Sequence, residues 1–365
     1  KAINAVGYRN GDTLKALLAY YVLSPLANSH ALDWWELTYA RYLYPKAQMA
    51  SQRISDALAD IGSEDAKRSF FKEYYRFLER TDGKNDGSAC GIGDGILIDS
   101  SGLPNSIRFP LTAVNTHNGV VSEEIRLIYV VQQRTGMPLF FRYVSGNVID
   151  VSTLTRTVAE LKANGINTKF AILDAGYYTG TNADVLLDAG ISFITRMKSN
   201  FKVYKQILRE NLGSLEAREN LVRYNSRLVY VKCVPCLVGA KKDRPAYAYL
   251  CRDLSIRHEL EKHLVERAED QNLSEEEIFD AMQGQGLFML VSSRRISKEN
   301  LLPLYYTRDQ IEKIFELCKQ DGKILPLNVE TEATFRGHLM MTFMSAVILK
   351  LMSDKLKKTS LTTAS

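Results

Sequence analysis

The sequence predicts an α/β protein, a mixed sheet flanked by helices, interrupted by a β-containing insertion and preceded by a helical part. Three observations predict it. Apolar residues recur at helical spacing through the first 88 residues; three short runs rich in Ile, Val, Phe and Tyr follow between residues 96 and 144; strand-like and helix-like segments then alternate to about residue 197. The 365 residues are 45% hydrophobic and 24% charged, with 22 Gly and 9 Pro. That composition excludes disorder, collagen-like repeat and coiled coil as the main organisation.

The helical part rests on Leu14, Leu17, Leu18 and Tyr21, then on Ser51, Ile54 and Leu58, and on the aromatic stretch from Phe70 to Leu78. Residues 81–95, TDGKNDGSACGIGDG, hold five Gly and three Asp and mark its boundary near residue 88. ILID (Ile96 to Asp99), EIRLIYVVQ (Glu124 to Gln132) and PLFFRYV (Pro138 to Val144) then read as strands. Asp150 to Ala163 reads as a helix with Asp150 as N-cap and Gly165 as its stop. KFAILD (Lys169 to Asp174) is a fourth strand, Thr181 to Ala189 a helix and FITRM (Phe193 to Met197) a fifth strand.

Residues 201–292 break the rhythm and are expected to form the insertion, with strands in RLVYVKCVPCLVG, PAYAYLCRD and GLFMLVSS and a helix from Ser255 to Gln283. The core would thus occupy residues 89–200 and 293–365, after a helical part at 1–88. Tyr305 to Gln320 and His338 to Leu356 read as two closing helices, the second apolar enough to be buried. Its longest uncharged apolar run, Leu339 to Leu349, is 11 residues, about half the ~20 that a membrane-spanning helix requires, so no span is expected.

The net charge of +5 on 47 basic and 42 acidic residues does not by itself argue for a nucleic-acid partner. Its distribution is more informative. Residues 189–209 contain no acidic side chain but carry Arg196, Lys198, Lys202, Lys205 and Arg209, whereas residues 259–280 hold nine acidic and two basic residues. A basic stretch of that kind suits phosphate contacts, and a solvated surface would look similar. Five Cys, an odd and low number, argue for a reducing compartment. The start at Lys1, without Met or a secretory pattern, reads as a truncation.

Chemistry points to acidic groups after apolar runs. Asp99 closes ILID and Asp174 closes AILD, which would hold each carboxylate on a rigid element at the sheet edge. Each could equally be a turn or capping Asp. A third signal is LLPLYYTRDQIEKIFELCKQDGK: on one continuous helix Tyr305, Arg308, Glu312 and Lys319 would fall within roughly 60° of one another. Ile311, Ile314, Phe315 and Cys318 would cover the neighbouring arc and pack on the sheet. An ordinary amphipathic surface helix has the same spacing.

Together these segments resemble the insertion-sequence DDE transposases with a Y-x2-R-x3-E-x6-K signature. The likeness rests on ILIDSSG around Asp99, LDAGYYT around Asp174 with FITRMKSN after it, and above all Tyr305-x2-Arg308-x3-Glu312-x6-Lys319. It covers about residues 95–350. Ala175 stands where the family more often has Arg.

The resemblance implies an RNase H-like core in which Asp99, Asp174 and Glu312 are the catalytic carboxylates and the metal ligands. Three hard oxygen donors suit two Mg²⁺ ions, with Mn²⁺ as substitute. Such a pair, ~4 Å apart, activates the attacking water or 3′-hydroxyl and stabilises the leaving oxygen. Tyr305, Arg308 and Lys319 would hold the DNA backbone, Arg308 through its forked donors, with Arg196 and Lys198 of the basic stretch as further DNA contacts. The implied partners are element ends and target DNA, in a dimeric synaptic complex in a prokaryotic cytoplasm. The 137 residues between Asp174 and Glu312 match the β-containing insertion of this group. A nuclease that cuts without joining and a DNA-binding derivative that no longer cuts are the competing readings; the intact acidic set counts against the latter.

Cys233-x2-Cys236 with His258-x4-His263 mimics a zinc finger, but its 21-residue spacer exceeds the usual ~12. GIGDG at 91–95 precedes a strand and does not open a helix, so it is not a dinucleotide loop. His117 in NTHNG reads as a turn residue, and His338 is expected to pack or cap the last helix.

Overall fold

The computed structural model describes residues 1–82, 91, 94–105, 110–117, 120–148, 150–271, 274–320, 325, 329, 331–357 and 359. Most of the Gly-rich boundary at 81–95 lies outside them. Five helices come first: α1 (Gly11–Leu23), α2 (Ala31–Leu37), α3 (Ala40–Leu43), α4 (Ser51–Ile61) and α5 (Glu64–Asp82). Strands β1 (Gly95–Pro104), β2 (Ala113–His117), β3 (Val120–Gln132) and β4 (Pro138–Ser145) precede α6 (Asp150–Ala163). Then come β5 (Phe170–Leu173), α7 (Gly180–Asp188), β6 (Ser192–Met197), α8 (Lys202–Asn211), β7 (Leu221–Tyr224), β8 (Arg227–Val238) and β9 (Arg244–Asp253). The chain continues through α9 (Leu254–Gln271), α10 (Glu275–Gln283), β10 (Leu287–Ser292), α11 (Lys298–Tyr305), α12 (Asp309–Gln320) and α13 (Glu332–Leu356).

These elements form two compact units, Lys1–Thr168 with Asp309–Ser365, and Lys169–Arg308. In the first, β3 pairs antiparallel with β1, β2 and β4. The N-terminal helices are integral to its core. Asn10 caps α1 by accepting from the Thr13 amide, and α1 buries Leu14, Leu17, Leu18 and Tyr21. Helix α5 docks on β4: Tyr74 Oη donates to the Pro138 carbonyl at 2.6 Å and Tyr75 Oη to that of Leu139 at 3.1 Å.

Helix α13 runs through the middle of this unit, its residues from Gly337 to Val347 buried. Phe343 lies within ring contact of Phe71, Tyr129 and Phe141, at 5.3, 5.9 and 5.2 Å between centroids. Helix α4 crosses α13 backbone to backbone, because a Cβ on Gly337 would sit 1.8 Å from the Leu58 carbonyl oxygen. His338 is buried beside that crossing, its Nδ1 2.8 Å from Tyr21 Oη. It packs, therefore; the N-cap of α13 is Thr331, which accepts from the Thr334 amide.

In the second unit β5 and β6 are parallel, joined through α7, and β6, β10, β9, β8 and β7 follow in antiparallel order. The mixed pairing expected from the sequence is present, with helices around it. Four local expectations are corrected. The first strand does not end at Asp99 but continues to Pro104, because its partner β3 runs on to pair it. Asp150 is the first residue of α6, one position inside the expected cap. Backbone pairing carries β2 through His117, so that residue closes a strand and does not sit in a turn. The segment after residue 201 opens with α8, hidden in the sequence because only Tyr204 and Ile207 of it are buried.

Candidate functional site

In the second unit β5 ends at Leu173 and Asp174 follows, starting a single 3-10 turn at Ala175–Tyr177. The backbone there is pinned: Thr195 Oγ1, on the neighbouring β6, donates to the Asp174 carbonyl at 3.0 Å. The Asp174 carboxylate is half-exposed, and the Arg308 guanidinium forms an ion pair with it at 2.9 Å. Tyr305 is buried beside them. Burial pushes its phenol pKa up, with Arg308 and Arg196 pulling it down and Asp174 reinforcing the rise. Its hydroxyl makes no hydrogen bond of good geometry among the described residues, although Arg308 is close enough to act on it.

The expected single helix from Tyr305 to Gln320 is not formed. Helix α11 ends at Tyr305, Tyr306–Arg308 make a 3-10 turn, and α12 begins at Asp309. Four residues on one face of one helix is therefore incorrect, although Glu312 and Lys319, two turns apart on α12, do share a face. The 3-10 turn takes Arg308 off the α-helical angle, and within the second unit Arg308 pairs with Asp174. The spacing of apolar residues continues through the break, and no signal in the sequence marks it.

In the first unit Asp99 is the fifth residue of β1, partly exposed, with its Oδ1 accepting from the Ser100 amide at 2.8 Å. It lies directly opposite Tyr129 of β3, so both side chains project from one face. Helix α12 packs on that face. Its Ile311, Ile314, Phe315 and Cys318 are buried, Phe315 meets the Tyr129 ring at 5.4 Å, and Cys318 Sγ lies 3.5 Å from Tyr129 Oη. Glu312 is exposed on the adjoining side. Lys319 Nζ donates to Ser101 Oγ at 2.7 Å, two residues along the strand from Asp99 and on the same face.

The basic stretch has a definite form. Arg196 is exposed on β6 with its guanidinium 5.4 Å from the Phe288 ring, and Lys198 is exposed in the turn that follows. Lys202, Lys205 and Arg209 form one exposed stripe of α8, opposite buried Tyr204 and Ile207. Cys233 and Cys236, three apart on β8, point to opposite faces of the strand.

The decisive observation is at family level: the sequence profile of the family described as "Transposase DDE domain" matches residues 94–348, well over half of the chain. The chain belongs to the DDE transposase family. The transposase is thereby an enzyme of DNA transposition, acting on DNA strands. No curated protein matches its sequence. Among solved structures, that of a piggyBac transposase synaptic complex with hairpin DNA aligns at TM-score 0.49 and 12% identity, over 96% of this chain and 68% of that one.

Within neither unit of the transposase do three His, Cys, Asp or Glu side chains of described residues gather around a cation position. The donor chemistry of the candidate residues nevertheless suits one. Asp174 already accepts a cationic partner in Arg308, a hydroxyl is held unsatisfied beside it, and Asp99 and Glu312 are both accessible carboxylates.

Proposed function

We propose that the protein cuts DNA strands at the ends of an insertion-sequence element and joins them to target DNA, with Asp99, Asp174 and Glu312 as its metal-binding catalytic carboxylates. One observation carries this reading. Each half of the Tyr305, Arg308, Glu312, Lys319 signature lies against an aspartate-bearing strand end or face of its own unit: Tyr305 and Arg308 on Asp174, and the α12 half on β1, through Lys319 and Ser101. A solvated amphipathic helix would have no reason to split in that way. The antiparallel set of β1, β3 and β4 and the parallel pair β5 and β6 are the parts an RNase H-like core requires, which further supports the reading.

The three carboxylates would hold Mg²⁺ or Mn²⁺, and bound ions would supply activation of the attacking oxygen and stabilisation of the leaving one. The chain's own residues do the rest. Thr195 fixes the backbone that carries Asp174, and the strand hydrogen bonds fix Asp99. Arg308 offers a forked pair of donors to a phosphate, Tyr305 a buried hydroxyl, and Lys319 an ammonium beside Asp99's strand. Arg196, Lys198 and the α8 stripe would follow the DNA backbone. Two ends must be brought together, so a dimer is expected in the active complex, acting in a prokaryotic cytoplasm.

Asp99→Asn, Asp174→Asn and Glu312→Gln are each expected to lower Mg²⁺-dependent strand cleavage about a thousandfold or more while DNA binding persists. Normal cleavage by any of them would sink the assignment. A strand-transfer assay with a pre-cut end separates transposition from simple nuclease action, because only the former yields joined product.

A further inference from the structure

A second concentration of positive charge lies in the first unit, at a place the catalytic reading does not use. A cavity of about 730 Å³ opens among α5, β4, α6 and α13. Five cations line it, Lys67, Arg68, Arg142, Arg156 and Arg336, against two carboxylates, Glu64 and Glu160. Both carboxylates are already taken by arginines. Glu160 is 2.9 Å from Arg156 and 3.6 Å from Arg142, and Glu64 is 3.7 Å from Arg336. Just outside the lining Asp65 is 3.9 Å from Arg68 and Glu332 pairs with Arg336, so the five cations face four carboxylates and the surplus is one cation. Arg142 is anchored deeper still, donating to the Thr153 carbonyl and Thr157 Oγ1.

Lys67 is left over. Its ammonium stands 5.3 and 5.0 Å from the ring centroids of Phe140 and Phe141, and makes no hydrogen bond or ion pair among the described residues. Burial lowers its pKa, with Glu64 and Glu160 opposing and Arg142 and Arg336 adding to the fall. A largely desolvated ammonium with three unused donors, in a concave site of excess positive charge, is a poor arrangement for stability and a good one for an anion. Arg68 and Arg156 stand at the rim with side chains 78% and 76% exposed, where a ligand would meet them first.

We propose that this pocket binds phosphate, with the DNA backbone as its source, so that the transposase grips its substrate at a second place; this rests on the DNA-processing reading above. A phosphodiester matches the chemistry on three counts: its oxygens accept only, its charge answers the surplus cation, and the neighbouring phosphates of a strand would reach the rim arginines. A small carboxylate would satisfy Lys67 without reaching the exposed rim arginines Arg68 and Arg156.

The test uses the full chain and a fluorescently labelled duplex of arbitrary sequence, with affinity measured against KCl concentration. The rim pair Arg68→Ala with Arg156→Ala should lower the slope of log affinity on log salt by about 2 and weaken binding about tenfold near 0.1 M salt. Lys67→Met should lower the slope by about 1. Unchanged slope and affinity in the rim variant, whose exposed side chains are not needed for folding, would overturn the proposal even if Lys67→Met misfolds. Inorganic pyrophosphate is the second probe. Competition with DNA that is lost in the rim variant supports it, whereas pyrophosphate binding lost without any change in DNA binding would assign the pocket to a free phosphate compound and overturn the DNA source. Cleavage by Asp99→Asn would sink the catalytic assignment and leave these slopes untouched.

Discussion

Arg308 pairs with Asp174 Oδ1, an oxygen that a metal ion would also use on the proposed assignment, and it is a side chain well formed for a phosphate. A phosphate that draws Arg308 away would therefore release that oxygen. The ion pair is partly exposed, with Arg308 at 20% and Asp174 at 37%, so its net strength is about 1 kcal/mol or less. Arg308→Ala should therefore strengthen Mn²⁺ binding to the DNA-free protein by a few-fold and weaken DNA binding by a similar factor. Metal titration and DNA anisotropy on the same variant check both, and unchanged metal affinity would show that Arg308 does not compete. Tyr305→Phe probes the adjacent hydroxyl. Removing a buried hydroxyl that makes no well-formed hydrogen bond among the described residues should leave stability within about 1 kcal/mol of the parent or raise it, so a large loss of cleavage at unchanged melting temperature would place that hydroxyl on the substrate.

Elements with a clear period were legible in the sequence, and those whose partners lie far along the chain were not. Strands β3, β4, β5 and β6 and helix α6 announce themselves because alternation or a 3.6-residue period coincides with burial. Gly165 stops α6 with φ +81°, as a residue without Cβ can. Strand β2 was missed because a five-residue strand is defined by its pairing to β3 and not by its own composition. Asp99 as a carboxylate after an apolar run was visible; that β1 continues past it was not, since Ser100, Ser101 and Gly102 carry no strand signal of their own. The break between α11 and α12 is the costliest miss, because Tyr305 ends one helix and Glu312 lies on the next. Element packing also sets a stability prediction. Gly337→Ala drives a Cβ into the Leu58 carbonyl and should separate α4 from α13, costing about 1–3 kcal/mol or more; thermal melting measures it, and a parent-like melt would mean the crossing is looser than described.

At the scale of the whole molecule the small net charge conceals a division of labour, with a basic stripe on α8 in one unit and the Lys67 pocket in the other. The second unit is one uninterrupted stretch, Lys169–Arg308, whereas the first is built from both sides of it. Its core needs Phe343 of α13 among Phe71, Tyr129 and Phe141. A chain cut after residue 330 should lose the near-ultraviolet circular dichroism of that cluster and bind a hydrophobic dye, while the strands of the second unit keep their far-ultraviolet signal. Retention of the full aromatic signal would contradict the central role of α13.

That discontinuity gives the protein a clock. During synthesis the whole of the second unit is made before α13, so Phe71, Tyr129 and Phe141 must wait for a helix that follows that entire stretch. Glu312 also follows that stretch, and precedes α13. A nascent chain therefore carries Asp99 and Asp174 before its aromatic core can close, and on the proposed assignment cutting would be withheld until α13 arrives.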